Sequence, residues 1–563
     1  MGSRLRGRGI VVFCGALALC LASHARSAVI PVIVHVHVDK PAGELTRPWS
    51  YFGYDEPNYT YSPDGKKLLH ELAKLSPVPV YLRAHNLLTS GDGRGSLKWG
   101  STNVYTEDAR GNAVYDWKII DRIFDAYRDA GVRPIVELGF MPRALTTGPA
   151  PYRHSFPHGS IFTGWSYPPK SYEKWGGLIF HLAEHLRARY GAAAVRTWLW
   201  EVWNEPDIPY WHGTAEEFFR LYDVSADALL RAVPDAQIGG PDTTGPGSPK
   251  SAEFLKQFLE HCAYGKNYAT GRTGSPLDVI TFHPKGKVQW IAGHARMGMA
   301  EQLQAADAGF KIVASFPEWR HTPVILDEND PEPCAGCSPA KHPEDNYRNS
   351  PIYAVYSALD IKMATALAAE RGVTLKGAVT WAFQFDDQPY FMALRDLATN
   401  GIDKPVLNGF RALGLLGDTR LTATSSAAIS ADAIEAHGVP RPVLDVTAAR
   451  KPREVEVLLL HYRDDDVAGP AARVQLSLTG FPAQARQVHV ETYRADTAHG
   501  DAYTAWLEMG SPQKPTPAQY LALEAAGKLP HIGAAQRADV RDGALRLVVN
   551  VPIEGLALVR IGW

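Results

Sequence analysis

From residue 50 to about 405, apolar runs of five to seven residues alternate with longer stretches whose apolar residues recur every three or four positions. The short runs, at 50–54, 80–85, 133–139, 198–203, 237–241, 278–283, 323–328 and 377–383, predict eight strands. The longer ones, among them 65–75, 117–130, 171–190, 215–232, 297–316 and 353–370, predict amphipathic helices between them. Eight strand and helix units in alternation read as a (β/α)8 barrel over residues 50–410. An open doubly wound sheet would carry a glycine fingerprint after its first strand, and none stands there. Beyond 410 the period shortens to two, with strands predicted at 455–462, 473–478, 488–493, 545–551 and 556–561 and a helical insertion near 516–526. This predicts an accessory antiparallel β-sandwich over 411–563. Val34, Val36 and Val38 alternate with His35 and His37, so segment 28–49 is expected to add a strand to that sandwich.

The chain begins differently. Arg4, Arg6 and Arg8 precede an apolar run over 10–22 and the small residues Ala25 and Ser27, the pattern of a signal peptide cut after residue 27. The run is shorter than the roughly 20 residues a membrane span needs, so an exported protein without a span in its mature form is expected. Lys and Arg number 58 against 60 Asp and Glu. That balance offers no basic excess for a phosphate backbone and argues against nucleic acid as a partner. Without the signal segment three cysteines remain. Cys334 and Cys337 could form half a zinc site, a local disulfide or free thiols, and no second pair has ligand spacing. No metal and no cofactor are expected.

Reactive groups in such barrels gather at the carboxyl ends of the strands. Strand four runs through Trp198–Pro206 as WLWEVWNEP, placing Glu205 just past its end beside Asn204; strand seven runs through PVILDENDP, placing Glu328 at its end. Three units separate them, which sets both carboxylates on one rim facing across the mouth. Paired carboxylates in unlike surroundings are what glycoside hydrolysis uses. A lone strand-end glutamate could equally cap a helix or pair with an arginine, but two in this arrangement favour chemistry.

The motif Trp203-Asn204-Glu205-Pro206 resembles the acid/base motif of the retaining-glycosidase clan built on this barrel. Asp327-Glu328-Asn329-Asp330-Pro331, together with residues 277–286 and Arg83-Ala84-His85, is similar to glycoside hydrolase family 39, which contains β-xylosidases and α-L-iduronidase; the likeness spans essentially the whole mature chain. The resemblance implies double displacement with Glu328 as nucleophile and Glu205 as acid and base, acting on an oligosaccharide or polysaccharide. It implies that Asn204 binds the sugar 2-hydroxyl, that Arg83 holds Glu328 ionised, that His85 and His283 contact hydroxyls or carboxylates, and that Trp381 floors the sugar site. Lys285 and Arg395 fall where the iduronidase branch places cations for a substrate carboxylate, and Asp387 where it binds ring hydroxyls. The chain departs from that branch after Pro331, where Glu332 could occupy Lys285 internally. The expectation is a β-xylosidase, with an iduronidase-like hydrolase or a non-catalytic polysaccharide-binding module as alternatives. Metal-dependent sugar isomerisation wants carboxylate and histidine ligands clustered at several strand ends.

Overall fold

The computed structural model describes residues 29–148, 165–337 and 339–563; the expected signal segment lies outside them. Eight parallel strands close into a barrel: Tyr51–Tyr54, Tyr81–Ala84, Arg133–Leu138, Leu199–Val202, Gln237–Thr244, Val279–His283, Val324–Leu326 and Leu375–Trp381. Closure is made where Val379 of strand eight registers with Tyr51 of strand one. These strands read as apolar runs because one face fills the lumen and the other lies under helices. Charged exceptions point into the lumen: Glu137 of strand three sits in register with Glu201 of strand four, Arg83 of strand two contacts both, and all three are buried.

Local chemistry sets the helix ends. Thr214 and Glu217 form a reciprocal capping box at the start of Ala215–Ala232, and Gly131 closes Lys118–Ala130 in the left-handed conformation a glycine tolerates. Helix Pro351–Glu370 is apolar on every side because it packs on the barrel with one face and on accessory strands Glu454–Tyr462 and Gly555–Gly562 with the other. Among the described residues it is the one helix long and apolar enough to cross a membrane, and most of it is buried in this core.

The accessory domain is one nine-stranded sheet; one face's valines and leucines form their own apolar cluster, while Leu458, Leu460, Leu556 and Leu558 join the barrel core. The sheet is mostly antiparallel. Strand Ile30–Glu44 enters it between Thr419–Ser425, antiparallel, and Ala472–Thr479, parallel, so the sheet is mixed where alternation alone suggested antiparallel pairing throughout. Helices Ala502–Glu508 and Pro517–Ala526 leave this domain, and their Trp506 and Leu523 pack on Phe391 and Ile402. They brace the loop that follows barrel strand eight.

Candidate active site

Strand four stops at Val202. Trp203 and Glu205 then take left-handed conformations, φ 76° and 46°, which cost on the order of 1–3 kcal/mol each and survive only where the surroundings enforce them. Here the Glu205 amide donates to the Asp242 carbonyl at 2.8 Å, and the Trp203 indole donates to the Tyr210 carbonyl at 2.9 Å. The turn points the Glu205 carboxyl into the mouth, where its Oε1 lies 3.1 Å from His283 Nδ1 and the side chain stays 13% exposed. Glu328 reaches the same histidine nitrogen from strand seven at 3.8 Å. The facing oxygens of Glu205 and Glu328 lie within 4.8 Å of each other.

The two carboxyl groups have unlike surroundings. Glu328 is nearly buried, and burial alone would raise its pKa. Lys285 Nζ at 2.6 Å, His283 and His85 outweigh that and hold it well below the usual carboxylate range. Arg83 Nη1 adds a contact at 3.3 Å. Glu328 is therefore an anion, pinned through both oxygens, whereas Glu205 keeps one histidine neighbour and partial solvent access.

Beneath this pair Arg83 is fully buried among carboxylates. It contacts Glu201, Asp327 at 2.9 Å and Glu137 at 3.1 Å besides Glu328, and donates to Asn204 Oδ1 at 3.1 Å. That last bond orients the Asn204 amide with its oxygen toward the arginine. Four carboxylates cannot all be charged around one guanidinium in a dry lumen. Burial raises Glu201 and Asp242 far above the carboxylate range and Glu137 to about 7, against the pull of His85 and Arg83 on Glu137. Asp327 is also buried but is drawn down by Arg83 and by hydrogen bonds from Glu201 and Asp242. His85 lies 3.3 Å from Glu137 and 3.4 Å from Glu328. Burial lowers its pKa, but Glu137 and hydrogen bonds to Asp55 and Glu328 push it up to about 9. Around the guanidinium, Arg83 and His85 face the anions Asp327 and Glu328, Glu328 is shared with Lys285, and Glu137 is near its midpoint at neutral pH. Two triads come within cation-holding distance, Glu205–His283–Glu328 and Asp242–His283–Asp327, and a metal there would compete with Lys285 and Arg83 for the same oxygens.

Trp381, at the end of strand eight, is buried, 1% exposed. It lies 4.4 Å from the His85 ring, and its indole donates to Asp55 Oδ2 at 2.8 Å. A Cβ on Gly53 would fall 2.2 Å from the Trp381 ring, so strand one needs glycine there. Lys98 Nζ pairs with the same Asp55 oxygen at 2.6 Å.

Three expectations are corrected. Arg395 is completely buried, its guanidinium spent on Glu332 at 2.8 Å and Asp330 at 3.1 Å, so it presents no cation to the mouth. Glu332 pairs with Arg395 and with Arg348 at 2.7 Å rather than with Lys285, which instead bridges Glu328 and Asp330. Asp387 is exposed on the loop after strand eight and holds no hydrogen bond or ion pair among the described residues. Cys334 and Cys337 form a disulfide, Cα to Cα 5.5 Å, which removes the zinc alternative for that pair.

The family model for glycosyl hydrolases family 39 matches residues 32–545. This chain belongs to glycosyl hydrolase family 39. Among its relatives in the family, a β-xylosidase of Geobacillus stearothermophilus is 27% identical over 505 residues, covering 85% of this chain and 86% of that one. The α-L-iduronidase of Homo sapiens is 26% identical over 586 residues, covering 97% and 80%. The fold superposes on a monomeric β-xylosidase from Caulobacter crescentus CB15 with a TM-score of 0.72 at 22% identity, covering 94% of this chain and 99% of that one. The bacterial orthologue of human α-L-iduronidase gives 0.76 at 20% identity, covering 95% and 84%. This family 39 protein is a glycoside hydrolase, and its likeness to both activities is nearly equal.

Sequence reasoning passed over Asp55, Lys98, Glu137, Glu201, Asp242, Asp327 and Asp330 as parts of the site. Glu137 and Glu201 were findable, since a charge inside an otherwise apolar barrel strand must point into the lumen and needs a partner. Lys98 stands in a loop without periodicity and offered no such signal.

Proposed function

We propose that the protein is an exported retaining β-xylosidase in which Glu328 attacks the anomeric carbon while Glu205 protonates the leaving oxygen and then activates the hydrolytic water. The observation that carries the reading is the approach of the two carboxyl groups to within 4.8 Å. Retention requires about 5–5.5 Å between them, whereas inversion needs room for a water at about 6.5–9.5 Å. The unlike environments fit the roles: the anion pinned by Lys285 and Arg83 is the nucleophile, and the more open Glu205 exchanges protons with leaving group and water. Asn204, its oxygen committed to Arg83, offers its N–H groups to the sugar.

A neutral glycon is favoured because, among the described residues, the cations named at the mouth already have carboxylate partners: Arg83, His85, Lys98, Lys285 and, deeper, Arg395. A uronide would bring a further negative charge to groups already neutralised. The second reading, an α-L-iduronide, rests on Lys285, whose side chain is 12% exposed and whose ammonium lies beside the nucleophile. Export is supported by the arginine-rich, apolar start and by the disulfide, a bond that persists in oxidising compartments. A panel of aryl β-xyloside, α-L-arabinoside, β-glucoside and α-L-iduronide tests the reading. The highest kcat/KM is expected on the xyloside, and a higher value on the iduronide overturns it.

A further inference from the structure

Behind Lys285 a row of buried charges of alternating sign runs away from the mouth. Asp330 Oδ2 lies 2.5 Å from Lys285 Nζ and 3.1 Å from Arg395 Nη2, while its Oδ1 accepts the Trp381 amide at 3.0 Å. Arg395 donates through Nε to the Trp381 carbonyl at 2.7 Å and through Nη1 to Glu332 Oε1 at 2.8 Å. Glu332 holds Arg348 at 2.7 Å and accepts the Cys334 amide at 2.6 Å. Arg348 closes the row on the disulfide loop, donating to the carbonyls of Cys334 at 2.8 Å and Cys337 at 2.7 Å. The Arg395 amide also donates to the Ala335 carbonyl inside that loop at 2.9 Å. Asp330, Glu332, Arg348 and Arg395 are all buried, and both cysteines are partly exposed.

We propose that Asp330, Arg395, Glu332 and Arg348 form a positioning brace for the nucleophile, with Asp330 its inner end and the Cys334–Cys337 clip its outer anchor. The inference rests on Glu328 being the nucleophile. Asp330 gives Lys285 a second carboxylate partner, so the ammonium orients Glu328 without being held by it alone. When Glu328 becomes an ester and loses its charge, Lys285 still has a partner and stays in place. Burial and the charge on Glu328 raise the Asp330 pKa, and Arg395 and Lys285 oppose this. Asp330 and Arg395 also hold Trp381 through its amide and carbonyl, so the brace ties the end of strand eight to the nucleophile.

Asp330→Asn tests the inner end. Its kcat on an aryl β-xyloside should fall at least tenfold with KM changed less than threefold, because the bare Lys285 then binds Glu328 more tightly and makes it a poorer nucleophile. The acidic limb of kcat/KM should move to lower pH, since removing a neighbouring anion favours the charged form of Glu328. The other groups facing Glu328, namely Asp55, Arg83, His85, Lys98, Glu137, Glu205, His283 and Lys285, stay in place in that variant, and misfolding alone moves no limb in that direction. The Cys334→Ser/Cys337→Ser double variant tests the outer end and should lose turnover severalfold with an unchanged circular dichroism spectrum. Wild-type kcat and an unmoved limb in Asp330→Asn overturn the brace. If that variant does not fold, wild-type turnover in the double serine variant overturns it instead. Azide rescue of Glu328→Gly keeps the two ideas apart: rescue with an unaffected Asp330→Asn removes only the brace, whereas failed rescue removes the nucleophile assignment beneath it.

Discussion

Replacing Lys285 by Met removes the strongest of the groups that oppose burial in keeping Glu328 ionised. The ammonium lies 2.6 Å from Oε2 with 12% of the lysine side chain exposed, so solvent screens it little. A hydrogen bond to a charged group contributes about 1.5–3 kcal/mol, and 1.36 kcal/mol corresponds to one pH unit of titration. Because Asp330 shares the ammonium, the lower half of that range applies, and the acidic limb of kcat/KM should rise by about one pH unit. The sign follows from linkage. A carboxyl group whose folded pKa is depressed is ionised, and adds stability, above its unfolded value, and loses both as pH falls through the folded value. In Lys285→Met that loss begins at higher pH, so the deficit in rate is steepest on the acid side and smallest near neutrality. Initial rates on an aryl β-xyloside from pH 3 to 8, for wild type and variant, measure it. A limb that stays in place or moves to lower pH refutes the assignment of Lys285 as the group that holds Glu328 ionised.

Glu205→Ala should lose roughly 10²–10⁴-fold in kcat/KM on xylosides with poor leaving groups, the usual worth of general acid catalysis, and far less on dinitrophenyl xyloside, which departs unaided. Equal losses on both count against Glu205 as the acid. Arg83→Met strips the Arg83 guanidinium from the lumen and should cost about 3–5 kcal/mol of stability. That deficit should be largest at pH 8 and shrink toward pH 5 as the acids around it take up protons, so chemical denaturation showing the same deficit at both pH values contradicts the charge balance described for the lumen.

Much of the fold was readable because a barrel strand buried on both faces leaves an uninterrupted apolar run, and a capped helix between two such runs leaves a period of 3.6. Residues 215–232 were predicted as a helix and Ala215–Ala232 is one. Glu205 and Glu328 were readable for a related reason, each standing where an apolar run ends. Partners were harder. Arg395 has the composition of a free mouth cation, and only folding brings Glu332, 63 positions upstream, onto its guanidinium. Lys285 was read as a group for the substrate, yet strands six and seven continue side by side past their ends, where Lys285 pairs with Asp330. That pairing sets its ammonium on the nucleophile instead. Parallel pairing of Ile30–Glu44 with Ala472–Thr479 leaves no mark in alternation, which is the same for either direction.

Covalent trapping tests the central assignment most directly. A 2-deoxy-2-fluoro xyloside with an activated leaving group forms the glycosyl-enzyme faster than water can hydrolyse it, and peptide mass spectrometry then locates the sugar. The expected result is one fluoroxylosyl adduct on the peptide carrying Glu328, absent from Glu328→Gly and released when a xylose acceptor is added. Turnover of ordinary xylosides with no adduct on that peptide, and with the inverted anomer as the first product seen by NMR, would contradict it.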